Sequence, residues 1–146
     1  MNMKAAGFTL IEILLYIAVF TLITGVSIPI YLSSQARNDF DITTVTIAQT
    51  LRRAQVLAQS VDGDTSWGVK IQSGSIIGFK GISYATRDTN FDEIFEIPGS
   101  LTPSGVQEVV FTKFTGLPQT TGSITLSSNT NETRNITVNT KGTVSY

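Results

Sequence analysis

The 25 positions from Phe8 to Leu32 hold a single charged side chain, Glu12, in a stretch dominated by Leu, Ile, Val, Phe and Ala. A run of about 20 apolar residues is long enough to cross a bilayer as a helix. The acid near its start is the constraint. A carboxylate deep in a membrane helix costs about 2.5–3.5 kcal/mol on insertion scales, so it calls for a partner. The most economical partner is a free α-amine, made by cutting the chain just ahead of Phe8.

Gly7-Phe8-Thr9-Leu10-Ile11-Glu12 follows a short leader carrying Lys4 and precedes a long apolar helix. In composition, order and position this resembles the N-terminus of a type IV pilin-like prepilin, the group of pilins and pseudopilins. The resemblance implies cleavage between Gly7 and Phe8 by a membrane-embedded prepilin peptidase, followed by N-methylation of Phe8. Glu12 falls at the fifth mature position, where the family carries its acid. Pro29 falls at the twenty-second, where many members carry a helix-breaking proline. The partners implied are other pilin or pseudopilin subunits, the peptidase, an inner-membrane assembly platform, and membrane lipid before assembly.

Lys4 ahead of the apolar run would hold this end in the cytoplasm, by the positive-inside tendency. The expected location is therefore the cytoplasmic (inner) membrane, single-pass with the head outside, and then an extracellular or periplasmic filament. The competing reading is an ordinary secretory signal with Ser34-Gln35-Ala36 as its cleavage site. Against it, the apolar run far exceeds the usual 7–15-residue signal core and carries an acid at its front.

Four segments follow: a leader at 1–7, a transmembrane or filament-core helix half at 8–32, an amphipathic helix half at 33–62, and a β-rich head at 63–146. Gly25 and Pro29 are poor helix formers, and an interior proline costs about 3 kcal/mol. A tolerated kink and a helix break opening on filament packing are compatible readings of this pair. Beyond Ser33, Phe40, Ile47, Leu51, Ala54, Ala58 and Val61 recur at spacings of three, four and seven, with Ile42, Val45 and Ala48 widening the stripe. That pattern predicts an amphipathic helix covering a core. Asp62-Gly63-Asp64 would end it, with Gly63 as a left-handed cap. Arg37, Asp39, Asp41, Arg52 and Arg53 lie on the solvated faces.

After Gly63 the composition turns to Thr, Ser, Gly, Val and Ile with frequent turn signals. Ser66–Ile71 and Ser75–Phe79 around Ser73-Gly74 read as a hairpin. Ile82–Asn90 reads as loop, and Phe91–Ile97 and Val106–Phe114 as strands. Gly122–Ser127, Asn135–Asn139 and Thr143–Tyr146 complete the set. The fold class expected is α+β and pilin-like: a long N-terminal helix packed on a C-terminal antiparallel sheet or two-sheet sandwich. Leu51-Arg52-Arg53-Ala54, Trp67-Gly68-Val69, Phe111–Gly116 and Gly122–Leu126 resemble, more narrowly, the GspH/FimT-type pseudopilins and minor pilins.

The chain has neither Cys nor His and a formal net charge of −1. Disulfides, thiolate metal sites and the commonest general base are thereby excluded, and no enzyme, cofactor or metal is expected. Asp88-Thr89-Asn90-Phe91-Asp92 has a calcium-loop rhythm, but Glu93 stands where such a loop needs Gly, so it reads as a solvated loop. Lys113, Arg134 and Lys141 offer a weak DNA contact, a feature the FimT resemblance also implies. Three cations on a slightly acidic protein make few phosphate contacts, and DNA is a minor candidate. The expected function is a minor pilin or pseudopilin of a type IV pilus-like or type II secretion-like filament. The alternatives are a major pilin, or a membrane-anchored module binding DNA, a surface or a secreted substrate.

Overall fold

The computed structural model describes residues 7–129 and 132–146, with the side chains of 26–34 and 36 outside that description. One helix, α1 (Leu10–Gln59), accounts for 50 residues. It belongs partly to a unit spanning 1–37 and partly to one spanning 38–146.

In the first unit the large apolar side chains point outward all round α1, from Leu10 and Ile11 to Leu22 and Ile23. Two threonines fit this surface by returning their hydroxyls to the helix. Thr21 Oγ1 donates to the carbonyls of Ile17 and Ala18, both at 2.9 Å, and Thr24 Oγ1 to that of Phe20 at 2.9 Å. A hydroxyl bonded to its own preceding turn needs no water. α1 continues through Gly25 and Pro29 without interruption, while the Pro29 side chain lies outside the described residues. So do the other side chains of 26–32 at the end of the expected 8–32 span. Among the described residues no helix is long and apolar enough to cross a membrane.

In the second unit α1 turns Phe40, Ile47, Ala48, Leu51, Ala54 and Ala58 into the core. The stripe is the one its spacing predicts, with different margins. Ile42 is 66% exposed, and Thr43, Thr44 and Thr50 are buried in the flanks instead. Thr50 makes this tolerable by donating its hydroxyl to the Thr46 carbonyl at 2.8 Å. α1 stops at Gln59, short of the expected Val61. Val61 itself takes the left-handed conformation (φ 57°, ψ 33°), and Gly63 follows at φ 65°. The Ala58 carbonyl at this end accepts from the Val61 N–H at 3.3 Å and from the Phe114 N–H at 3.0 Å, so a local turn and a distant loop share a last-turn acceptor.

Among the described residues eight strands follow in two antiparallel sheets. The first has the order β3-β2-β1-β5, from β1 (Trp67–Gln72), β2 (Ser75–Lys80), β3 (Asp88–Glu96) and β5 (Glu108–Phe111). The second has the order β4-β6-β7-β8, from β4 (Leu101–Gly105), β6 (Gly122–Ser128), β7 (Thr133–Val138) and β8 (Val144–Ser145). Gln72 pairs with Ser75 across the two-residue turn Ser73-Gly74, where Gly74 supplies φ 85°. Gly68 is required for another reason: a Cβ there would sit 2.5 Å from Phe79 Cζ.

Three strands depart most from the sequence expectation. β3 begins at Asp88, inside the stretch read as loop. β4 arises where no strand is expected, and it carries Pro103 on an outer strand, where a missing N–H is tolerated. The expected strand Val106–Phe114 is cut to Glu108–Phe111, because residues 112–119 fold back and the Thr112 N–H bonds the Leu117 carbonyl at 2.9 Å.

Val69, Ile71, Ile76, Val109 and Phe111 of the first sheet share one cluster with Ile124, Leu126, Ile136 and Val138 of the second and with the inward stripe of α1. Each fully buried aliphatic or aromatic side chain contributes about 1.5–3 kcal/mol of burial. Without disulfides, this cluster holds the head together.

Candidate processing and assembly site

Gly7, Phe8 and Thr9 precede α1 without regular secondary structure. Gly7 is exposed, and a Cβ built on it would meet nothing within 4 Å. The fold itself therefore places no demand for glycine there. Phe8 is 74% exposed. The Gly7–Phe8 bond is thus fully accessible from solvent or lipid, while Lys4 lies outside the described residues.

Thr9 has a role that the apolar pattern does not single out. Its carbonyl accepts the N–H groups of Glu12 at 3.1 Å and Ile13 at 3.2 Å, and its Oγ1 accepts from Glu12 N–H at 3.4 Å. It is the N-cap of α1. Thr9-Leu10-Ile11-Glu12 has the T-x-x-E spacing of a capping box, so the signal was present in the sequence. Glu12 sits in the first turn, where a negative charge is favoured by the unsatisfied N–H groups and the helix dipole. It is half-buried, and among the described residues it has no ion-pair partner. A carboxylate held at a helix start, beside an accessible backbone bond and an outward apolar surface, can accept a cation supplied from outside the chain.

The head distributes its charges differently. Lys113, in the loop after β5, pairs with Asp64 at 2.5 Å and lies over the Phe114 ring. Arg134, on β7, pairs with Asp41 of α1 at 2.7 Å. Lys141 lies in the exposed turn before β8, where its carbonyl accepts from Gln55 Nε2 at 3.1 Å. The three cations considered for DNA therefore sit on separate elements, and two of them already face carboxylates. The Lys113 hydrogen bond and its charge hold the Asp64 carboxyl below its usual range.

The calcium-like segment is the first half of β3, not a loop. Asp88 Oδ1 accepts from the backbone and side-chain nitrogens of Asn90, at 3.1 and 3.0 Å. Arg87 Nε contacts both oxygens of Asp92, at 3.0 and 2.9 Å, and its guanidinium lies 3.8 Å from the centre of the Tyr84 ring. Both carboxylates are thus engaged by nitrogen donors. Among the described residues no cluster of three metal-binding side chains occurs.

Residues 2–28 match the family model described as the prokaryotic N-terminal methylation motif. This match spans the Gly7–Phe8 junction, Thr9, Glu12 and the apolar start of α1, and it supports a pilin-type filament subunit. That motif marks structural pilins and not an enzyme family. No curated protein and no solved structure matches the chain.

Proposed function

We propose that the chain is a minor pilin or pseudopilin, of the GspH/FimT type, which enters a type IV pilus-like or type II secretion-like filament. One observation carries the reading: the methylation-motif match over residues 2–28, with an accessible Gly7–Phe8 bond and a Glu12 at the helix start that has no ion pair among the described residues. Prepilin peptidase cuts between Gly7 and Phe8, and the freed Phe8 amine is methylated and stays positive. Before assembly the outward apolar surface of α1 is covered by inner-membrane lipid, and afterwards by the helices of neighbouring subunits.

Glu12 of one subunit then attracts the Phe8 amine of the next. Two unit charges about 4 Å apart attract by about 4 kcal/mol at an effective dielectric near 20. This is close to the insertion penalty of a carboxylate in a membrane helix. Docking thus offsets the cost of carrying the acid, and it sets the axial register of the incoming helix. The head, with its own core, faces outward.

Mass spectrometry of the mature chain and of a Glu12→Val variant tests this. The expected N-terminus is methylated Phe8 in both, with the variant absent from sheared filaments. Cleavage after Ala36, an uncut leader, or normal incorporation of the variant would overturn the reading.

A further inference from the structure

The two sheets present four outer strands, and three of them are closed to further pairing. β4 carries Pro103 and β8 is two residues long. β5 is covered by its own following loop, where the Gln119 N–H donates to the Val110 carbonyl at 2.8 Å and Phe111 bridges to Pro118. β3 has none of these guards. It is nine residues long, has no buried residue, and pairs on one side only, with β2. Apart from Asn90, whose N–H is held by Asp88 Oδ1, and the register shift opposite Gly78–Lys80, this edge presents backbone donors and acceptors able to take up another strand.

The side chains of β3 say what kind of strand. Ile94 is 62% exposed and Phe95 41%, on opposite faces. Glu93 and Phe95 line a cleft of about 270 Å³ whose other wall is Thr46, Gln49, Thr50 and Arg53 of α1. A strand laid beside β3 would lower its side chains into this cleft on one face and cover Ile94 on the other. β3 also carries four carboxylates. Asp92 is held by Arg87 and Glu93 by Arg53, at 2.9 and 2.6 Å. Asp88 and Glu96, near the two ends, have no ion pair among the described residues.

This pattern selects against a second copy of β3. Two copies aligned antiparallel about Asp92 would set Asp92 against Asp92 and Asp88 against Glu96 twice, and like charges directly opposite are destabilising. The other outer strands of the chain carry no cation to offer. We propose that the free edge of β3 takes up an extended, basic strand from a neighbouring subunit of a different kind, with its Lys or Arg side chains at the Asp88 and Glu96 ends and apolar side chains over Ile94 and Phe95. Main-chain pairing supplies the attachment, and charge and cleft supply the choice of partner. The inference rests on the filament-subunit reading for the identity of the neighbour, but its test does not.

The probe is a nine-residue synthetic peptide, matched to β3 in length, in which lysine alternates with valine or threonine. A second peptide carries glutamate in place of each lysine. Full-length protein in detergent micelles is titrated with each, and amide hydrogen exchange is followed across 88–96. The lysine peptide is expected to slow exchange there roughly tenfold or more, an effect that fades at high salt. Glu96→Lys with Ile94→Lys, both at exposed positions, is expected to abolish the slowing while exchange in β1 is unchanged. No slowing by the lysine peptide, or equal slowing by the glutamate peptide, overturns the proposal. So does protection that appears without peptide as protein concentration rises, since the occupant would then be a second copy. None of these results depends on methylation of Phe8 or on Glu12, so this proposal and the filament reading fail separately.

Discussion

Gly68 lies in β1 between Phe79 of β2 and Val110 of β5, and its backbone is not in the left-handed region. Replacing it with alanine therefore tests packing without backbone strain. The new Cβ would lie 2.5 Å from Phe79 Cζ and 3.0 Å from both Cε atoms, whereas ordinary contact begins near 3.4 Å. The ring would have to recede by nearly 1 Å, yet Phe79 has no exposed surface and stands edge-on to Tyr84 at 5.7 Å. Overpacking of this kind costs about 1–3 kcal/mol. With a urea slope near ~1.5 kcal/mol per molar, the unfolding midpoint should fall by ~0.7–2 M. Trp67 is the single tryptophan and is buried, its indole N–H donating to the Asp62 carbonyl at 2.9 Å, so its fluorescence reports unfolding. Far-UV circular dichroism should give the same midpoint. Phe79→Leu removes the ring atoms that the alanine would strike. In that background Gly68→Ala should cost under about 0.5 kcal/mol, a coupling of about 1 kcal/mol or more. Equal costs in the two backgrounds would refute the steric account of Gly68.

Two further outcomes follow from the helix end and the loop packed beside it. Val61→Gly relieves a β-branched residue at φ 57° and should raise stability by about 0.5–1 kcal/mol, net of the added chain entropy; an unchanged or lower urea midpoint would contradict it. Lys113 depresses the Asp64 carboxyl from its ordinary value near 3.8. The stability this adds is complete above that value and disappears as pH falls through the lowered one, so Asp64→Asn should lower the urea midpoint slightly at neutral pH and leave it unchanged at the acid end, flattening the acid side of the stability–pH curve.

Local patterning made much of the fold readable. The Phe40–Ala58 stripe, the Ser73-Gly74 hairpin and the alternation in β6 and β7 each bury one face of a regular element. Such periods survive in a single sequence. What the sequence hid depends on pairings between distant residues. Pro103 looks like a strand breaker until it is known to sit on an outer strand. Asp88-Thr89-Asn90 looks like loop until β2 is found beside it and Arg87 closes on Asp92. At the helix end the Ala58 carbonyl also takes a hydrogen bond from Phe114, which no window around residue 60 contains. At the candidate site the opposite holds. Glu12 stands out because an acid in an apolar run is anomalous at any distance. Thr9 is equally legible as a cap from its T-x-x-E spacing to Glu12, although the apolar run around it masks a helix start.

The last strand of the chain is fastened to the helix made near its beginning. Arg52 donates to the Val144 carbonyl at 3.2 Å across 92 positions, and Gln55 reaches the carbonyls of both Gly116 and Lys141. The inward face of α1 is thus synthesised early and obtains its final covering only when the C-terminal residues arrive. Contacts this remote in sequence slow folding and leave apolar surface open meanwhile. The head is unfinished until Val144 joins its core, so a truncation ahead of that residue would uncover part of a helix already complete.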